Sequence, residues 1–497
     1  MASEATGATP TTLGMVSPRS MLLPLALAQF IASYACTNMN VAVSAIAHDL
    51  GTTVQGVQTV ITLFTLTMAA LMIPGSKLSD IWGRRLCFRL GLLVYGIGAL
   101  VAALAPGVGV LVIGYSLLEG VGSALMIPPI YILVTVYTPN MTARAKGLAV
   151  VSAAAGIGSA VGPLIGGLVT SAFSWRASFL LQVIFIAGII VLSRRIRDLP
   201  AEGAPPRFDL LGAVLMAAGL FLIVLGVLQS GTYGWFVAAK DFAIGNTVLI
   251  HEGGISPVWL FVFLGLLVLA AYAWHASSAE RKGREPLLSL RLFRNRASNL
   301  GLVTQNVQWL TLQGSFFVIS VYLQTEQHRS AIETGLMLTP ATAGILIASA
   351  LAGRMARNRT QRFLIRGGFI FSIGGTLLLL VLASFATNFL ALIPGLLLMG
   401  LGVGVMLTAS ANVVQSAFPE QEQGEISGLS RSVSNLGSSL GTAIVGSVLV
   451  GAAAGHSYAL ALVVMAVAGL IGLGAAVLLP AAPGRRQERD IPKPVVA

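Results

Sequence analysis

GSAVGPLIGG, residues 158–167, sets Gly158, Gly162 and Gly166 four residues apart, with Pro163 and Gly167 among them. In a helix this spacing leaves one bare face that a neighbouring helix can approach closely. The interior proline removes a backbone hydrogen bond and bends the helix. Ordinary tight packing uses the same spacing, so the surroundings decide what the segment is for.

Those surroundings are apolar. Hydrophobic residues make up 56% of the 497 and charged ones 10%, and the mean hydropathy is +0.86. A soluble domain carries about 25% charged residues. The composition is that of an all-α integral membrane protein, in which a helix needs about 20 mainly apolar residues to cross. Fourteen such runs can be placed, at 21–45, 57–75, 87–105, 109–136, 147–170, 177–193, 209–229, 257–275, 298–322, 332–353, 363–384, 389–411, 426–451 and 457–480. Short cytoplasmic loops collect Lys and Arg. With the N-terminus inside, 27 of the 30 basic residues fall on the cytoplasmic side, and only Arg176, Lys240 and Arg329 fall outside. The expected topology has both termini in the cytoplasm; the expected location is the cytoplasmic membrane, in a bacterium.

The net charge of +12 is spread over short segments flanking helices, so topology explains it and a nucleic-acid partner is not expected. The first twenty residues contain Glu4 and no basic start, unlike a cleaved signal peptide. Cys36 and Cys87 suggest neither a disulfide nor a metal framework. His48, His251, His275, His328 and His456 lie at span ends or in loops, and no HExxH or CxxC motif occurs. Neither an enzyme nor a cofactor or metal is expected on these grounds.

Between spans 2 and 3 the chain reads SKLSDIWGRRLCF, from Ser76 to Phe88. Asp80, a hinge at Gly83, and Arg84 with Arg85 are compressed into a few residues. Arg offers a planar fork for carboxylates and helix C-termini, while the alternative is that these bases only anchor the topology.

Together the two segments resemble the major facilitator superfamily, specifically its fourteen-span drug:proton antiporter branch. The signature after span 2, G-x-L-x-D-R-x-G-R-R, is matched by Leu78, Asp80, Gly83, Arg84 and Arg85, with Ser76 and Ile81 departing from it. The span 5 signature, G-x-x-x-G-P-x-x-G-G, is matched at every fixed position by Gly158, Gly162, Pro163, Gly166 and Gly167. FFVISVYLQ at 316–324 and GLSRSVSNLGSSLGTAIVG at 428–446 look like the same branch. The resemblance implies a major facilitator fold of 14 transmembrane helices, two six-helix halves plus two central extra helices. Its divisions would be a tail at 1–20, an N-terminal half at 21–193, a linker with the added helices at 194–297, a C-terminal half at 298–480 and a tail at 481–497. It also implies that both signature segments act in conformational gating.

The resemblance implies that spans 1, 4, 9 and 12 line a central cavity, and polar stripes on these spans agree. Gln29, Ser33, Thr37, Asn40 and Ser44 share a face of span 1; Ser116, Glu119 and Ser123 one of span 4; Asn306, Trp309 and Gln313 one of span 9; Thr408 and Asn412 one of span 12. A polar stripe facing lipid is costly; the alternative is interhelical hydrogen bonding, worth ~0.6 kcal/mol per contact. Met126, Trp309, Phe316 and Phe317 are the expected apolar walls. Many branch members carry an aspartate early in span 1, where this chain has Ala35, and an arginine in span 4, where it has Ser116.

Glu119 is the only charge in the span at 109–136, near the bilayer midplane. Desolvation favours the neutral form of a carboxyl group. Glu119 is therefore the candidate proton-coupling residue, against a permanently neutral acid that only hydrogen-bonds. The implied function is export of amphipathic or lipophilic small molecules in exchange for protons, by a monomer whose partners are substrate, protons and membrane lipids. The alternatives are an uncoupled facilitator or lipid-like-substrate exporter, and a non-transporting membrane sensor.

Overall fold

The computed structural model describes residues 18–137, 141–194, 196, 207–244, 247–385, 389–418, 422–451 and 457–480. Most of both tails and of the Pro-rich linker lies outside the described residues.

Among the described residues, fourteen long helices follow one another. They are α1 (Pro18–Asn38), α2 (Val54–Trp82), α3 (Arg84–Ala103), then α4, continuous through Val108–Leu111, Val112–Glu119 and Gly120–Tyr137. Next come α5 (Met141–Ala172), α6 (Trp175–Ser193), α7 (Leu210–Tyr233), α8 (Pro257–Arg281), α9 (Arg296–Thr325) and α10 (Ala331–Asn358). The series ends with α11 (Gln361–Phe385), α12 (Ile393–Gln415), α13 (Gln423–Gly451) and α14 (Ser457–Leu478). Side chains set several starts: Thr53 accepts from Gly56 N at 3.1 Å, Asn295 from Ser298 N at 3.1 Å, and Ser330 forms a capping box with Glu333.

Thirteen of these helices are long and apolar enough to cross a membrane. The remaining one, α9, carries Gln305, Gln308, Thr311, Gln313, Ser315 and Ser320, all buried inside the protein. A helix enclosed by other helices has no need of a lipid-compatible surface, which is why the most polar one lies innermost.

α1 to α6 pack among themselves, with contacts α1–α5, α2–α4, α3–α4 and α3–α6. The same contacts recur eight helices later as α9–α13, α10–α12, α11–α12 and α11–α14. This repetition gives two six-helix halves. α7 and α8 pack on each other, and α7 leans on α2 and α13. Between α7 and α8 lies an antiparallel hairpin, β1 (Phe242–Ile244) and β2 (Thr247–Ile250).

The halves meet most extensively along two seams, α2–α13 and α5–α10. On α2 and α13, Gln58 donates to the carbonyls of Thr442 and Ala443 at 3.0 and 3.2 Å, and Ser439 donates to Thr62 O at 3.0 Å. On α5 and α10, Thr342 donates to Ala160 O at 2.6 Å and Ile332 N to Ser171 Oγ at 2.8 Å. The α5–α10 bonds all lie at or beyond Ala160, toward the end opposite Lys77, Arg84 and Arg354. Toward that basic end, Val150, Ile157 and Leu351 are exposed. This seam is therefore closed at its far end.

Candidate functional site

The glycine face of α5 meets α1. A Cβ on Gly158 would lie 2.4 Å from Phe30 O, one on Gly162 2.0 Å from Thr37 Oγ1, and one on Gly166 2.9 Å from Asn38 Cβ. Gly167 points the other way, to the opposite half, where a Cβ would lie 2.4 Å from Ala331 O. The Pro163 carbonyl packs on Gly335 of α10. One short sequence thus closes a contact within a half and a contact between halves.

α1 stops being an α-helix at Asn38. A tighter turn, Met39–Val41, is followed by a short helix, Val43–Asp49. The polar stripe is accordingly shared out. Ser33 lies beside Gln29, Thr37 donates to Tyr34 O at 3.3 Å, and the Asn40 carbonyl accepts from Gln324 of α9 at 3.1 Å.

α4 is π-helical from Val112 to Glu119. A wider turn changes the phase of the side chains that follow, and such segments concentrate at functional sites. Ser116 turns toward α2 and donates to Val60 O at 2.7 Å. Glu119 is 0% exposed, and no well-formed hydrogen bond reaches its carboxyl oxygens, the Tyr95 hydroxyl being the polar group beside them. Its surroundings belong to the N-terminal half: Tyr95 of α3, Tyr115 of α4, and Tyr34 and Cys36 of α1. Ser123 is buried with its hydroxyl unpaired.

From the C-terminal half, Gln313 reaches this region by donating to Cys36 O at 3.0 Å. Asn306 instead donates to Val433 O of α13 at 2.9 Å, an ordinary interhelical bond, and Trp309 is half-buried. Thr408 and Asn412 are exposed on α12, and the buried polar group there is Ser410, which donates to Gln308 at 2.6 Å. Of the expected walls, Met126 packs on Gly91 of α3, and Phe316 and Phe317 are fully buried. The structure therefore places Thr37, Asn40, Glu119 and Gln313 at or near α1, ties Asn306 to α13 and leaves Thr408 and Asn412 exposed on α12.

At the basic end, Gly83 joins α2 to α3 with φ +95°, a conformation L side chains rarely adopt. Asp80 and Arg84 are 3.8 Å apart, and Lys77 pairs with Glu285 at 2.9 Å. Arg85 is also engaged. Arg431, counted from the sequence with the cytoplasmic bases, lies two turns inside α13, over the Tyr131 ring of α4 at 4.9 Å and hydrogen-bonded to its hydroxyl. A charge scan of span 13 for interior bases would have marked it.

A match to the Major Facilitator Superfamily covers residues 25–442 and 301–497. The chain belongs to that superfamily. Similar superfamily transporters are connected with antibiotics. The probable actinorhodin transporter of Streptomyces coelicolor is 28% identical over 84% of this chain and 69% of its own. The puromycin resistance protein of Streptomyces alboniger is 28% identical over 88% and 82%. The lincomycin resistance protein of Streptomyces lincolnensis is 28% identical over 94% and 92%. Among solved structures, a peptide transporter superposes with a TM-score of 0.64 at 16% identity, covering 95% of this chain and 97% of that one. This last likeness concerns the fold.

Proposed function

We propose that this superfamily member is a proton-coupled antiporter that exports amphipathic antibiotics and other lipophilic small molecules across the cytoplasmic membrane, with its basic end and both termini inside. Its energy source is the proton gradient. The observation that carries the reading is Glu119, a fully buried carboxyl group with no well-formed hydrogen bond and only the Tyr95 hydroxyl at hand. A structural acid would be expected to have its oxygens satisfied, whereas one that gains and loses a proton has to remain available in both forms. Glu119 adjoins α1, the helix that Gln313 of the other half grips, so its charge state can bias how the halves meet. The relatives named for actinorhodin, puromycin and lincomycin support antibiotics as the cargo.

The test is Glu119→Gln in liposomes, with export of puromycin and ethidium followed with and without a pH gradient. Gln keeps the volume and polarity and removes titration. Export driven by the pH gradient is expected to fall at least tenfold while dye binding persists. Undiminished gradient-driven export would remove Glu119 from the mechanism, and wild-type export indifferent to the gradient would identify an uncoupled facilitator.

A further inference from the structure

α6 carries a polar stripe to which the transport reading assigns no part. Ser174, Ser178 and Gln182 are spaced four residues apart and so share a helical face. Ser178 and Gln182 are buried within the N-terminal half. Ser178 Oγ lies 2.6 Å from the Tyr34 hydroxyl and accepts from Asn38 Nδ2 at 2.9 Å, both on α1. One turn deeper, Gln182 Oε1 accepts from the Tyr95 hydroxyl of α3, which stands beside Glu119. In the other direction the stripe ends at Ser174, the cap of α6, which accepts from Arg176 N at 3.2 Å. The adjoining Trp175 and Arg176 both bind Asp49, whose side chain is 44% exposed. Polar groups thus lead from a solvent-exposed acid at the far end to the buried acid at the centre.

Two amide atoms on this line, Gln182 Nε2 and Asn38 Oδ1, are buried and unpaired, and the Glu119 carboxyl has only the Tyr95 hydroxyl beside it. Residues that only fastened α6 to α1 and α3 would be satisfied on both sides, because unpaired buried polar groups are costly. Donors and acceptors of this kind are partners for water.

We propose that Ser178, Tyr34, Asn38, Gln182 and Tyr95 form a water-supported proton path between the Asp49 end of the N-terminal half and Glu119, separate from the route of the exported compound. A hydronium ion at the far end gives its proton to the chain. Each water or hydroxyl accepts one proton and releases its own, and the last proton converts the Glu119 carboxylate to the acid. Asn38 and Gln182 transfer nothing; they are positioning residues for Ser178 and Tyr95, and the Tyr95 hydrogen turns from Gln182 Oε1 to the Glu119 carboxylate as the hydroxyl accepts the incoming proton. The titratable groups facing Glu119 are Tyr34 and Cys36 of α1, Tyr95 of α3 and Tyr115 of α4, with Arg431 of α13 reaching Cys36 electrostatically. The path rests on the reading of Glu119 as the coupling group.

The test uses Gln182→Leu, Ser178→Ala and Tyr34→Phe in liposomes beside Glu119→Gln, with ethidium and puromycin as cargo. Two rates are read: counterflow at equal pH on both sides, and uptake driven by a pH gradient. The path predicts counterflow within about twofold of wild type and gradient-driven uptake lowered at least fivefold, with a flattened dependence on the pH at the Asp49 side. Ser178→Ala removes one hydroxyl with little change in volume, so it keeps the test informative if Gln182→Leu does not fold. Normal gradient-driven uptake in the path variants, with uptake lost in Glu119→Gln, would overturn the path and leave the coupling reading standing. Equal loss of counterflow and driven uptake would mark these groups as structural and also overturn it. Normal driven uptake by Glu119→Gln, or none by wild type, would overturn the coupling reading and the path with it.

Discussion

The side-chain amide of Gln324 donates to the Asn40 carbonyl where α1 ceases to be helical, and its oxygen accepts from Ser44 N at 3.0 Å. Backbone groups freed by the break in one half are satisfied by a side chain of the other. Gln324→Leu leaves a buried carbonyl and an N–H unpaired, at a cost of about 1–3 kcal/mol for such a group. The penalty falls on the state in which the far ends are together, so the variant should spend more time open at that end. Faster deuterium exchange of the amides at 39–44 is the expected sign. Unchanged exchange there would mean that the break stands without its clamp.

Gly162 and Gly167 differ in what surrounds them, and so should their alanine variants. At Gly162 the nearest obstacle is Thr37 Oγ1, which can rotate away; at Gly167 it is the Ala331 carbonyl, which is backbone and cannot. Overpacking of the second kind costs typically 1–3 kcal/mol. Gly167→Ala is expected to lower the melting temperature and slow transport more than Gly162→Ala, as measured on purified protein and in liposomes. The reverse order would show that the α5–α10 contact yields more easily than its geometry implies.

The helices were legible because lipid demands long apolar runs, and the basic loops fix their alternation. The α5 glycines were legible for a related reason, since close approach tolerates no side chain. Helical periodicity shows which residues share a face but not which neighbour that face meets. Thr408 and Asn412 share an exposed face of α12, and the group on that helix that bonds to α9 is Ser410. The break at Met39–Val41 and the π-helical turn before Glu119 depend on tertiary partners and carry no local signature. The stripe of Ser174, Ser178 and Gln182 on α6 has the same four-residue spacing as that of α1 and is equally legible, but it lies outside the four spans that the superfamily resemblance implies.

The hinge at Gly83 and the Asp80–Arg84 pair make separable predictions. A side chain at Gly83 must adopt a positive φ with extended ψ, a region nearly confined to glycine, so Gly83→Val should strain the α2–α3 turn by about 1–3 kcal/mol and reduce the folded yield. Asp80→Asn removes only charge from a partly exposed pair, so its effect on stability should be under about 1 kcal/mol. If the pair gates transport, Asp80→Asn should slow turnover at normal membrane abundance and an unchanged melting temperature. Wild-type turnover would reduce the segment to a topology signal.

At the far end, Asp49 provides a pH-dependent test that is independent of transport. The Arg176 guanidinium donates to its carboxylate, and with the Trp175 indole, 3.0 Å away, holds the Asp49 carboxyl below the usual carboxylate range. With the folded-state value depressed, the unfolded chain binds the proton more readily. The stabilisation is therefore fully present above the unfolded value of about 3.9 and is lost as pH falls through the lower folded value. Both partners are about one-third or more exposed, so solvent screening limits the contribution to roughly 1 kcal/mol or less. Asp49→Asn should melt slightly below wild type at pH 7, with the gap narrowing as the pH drops below about 4. High salt should narrow it as well. A gap that stays constant from neutral to acid pH would show that packing of Trp175, and not the Asp49 charge, holds this end of α6.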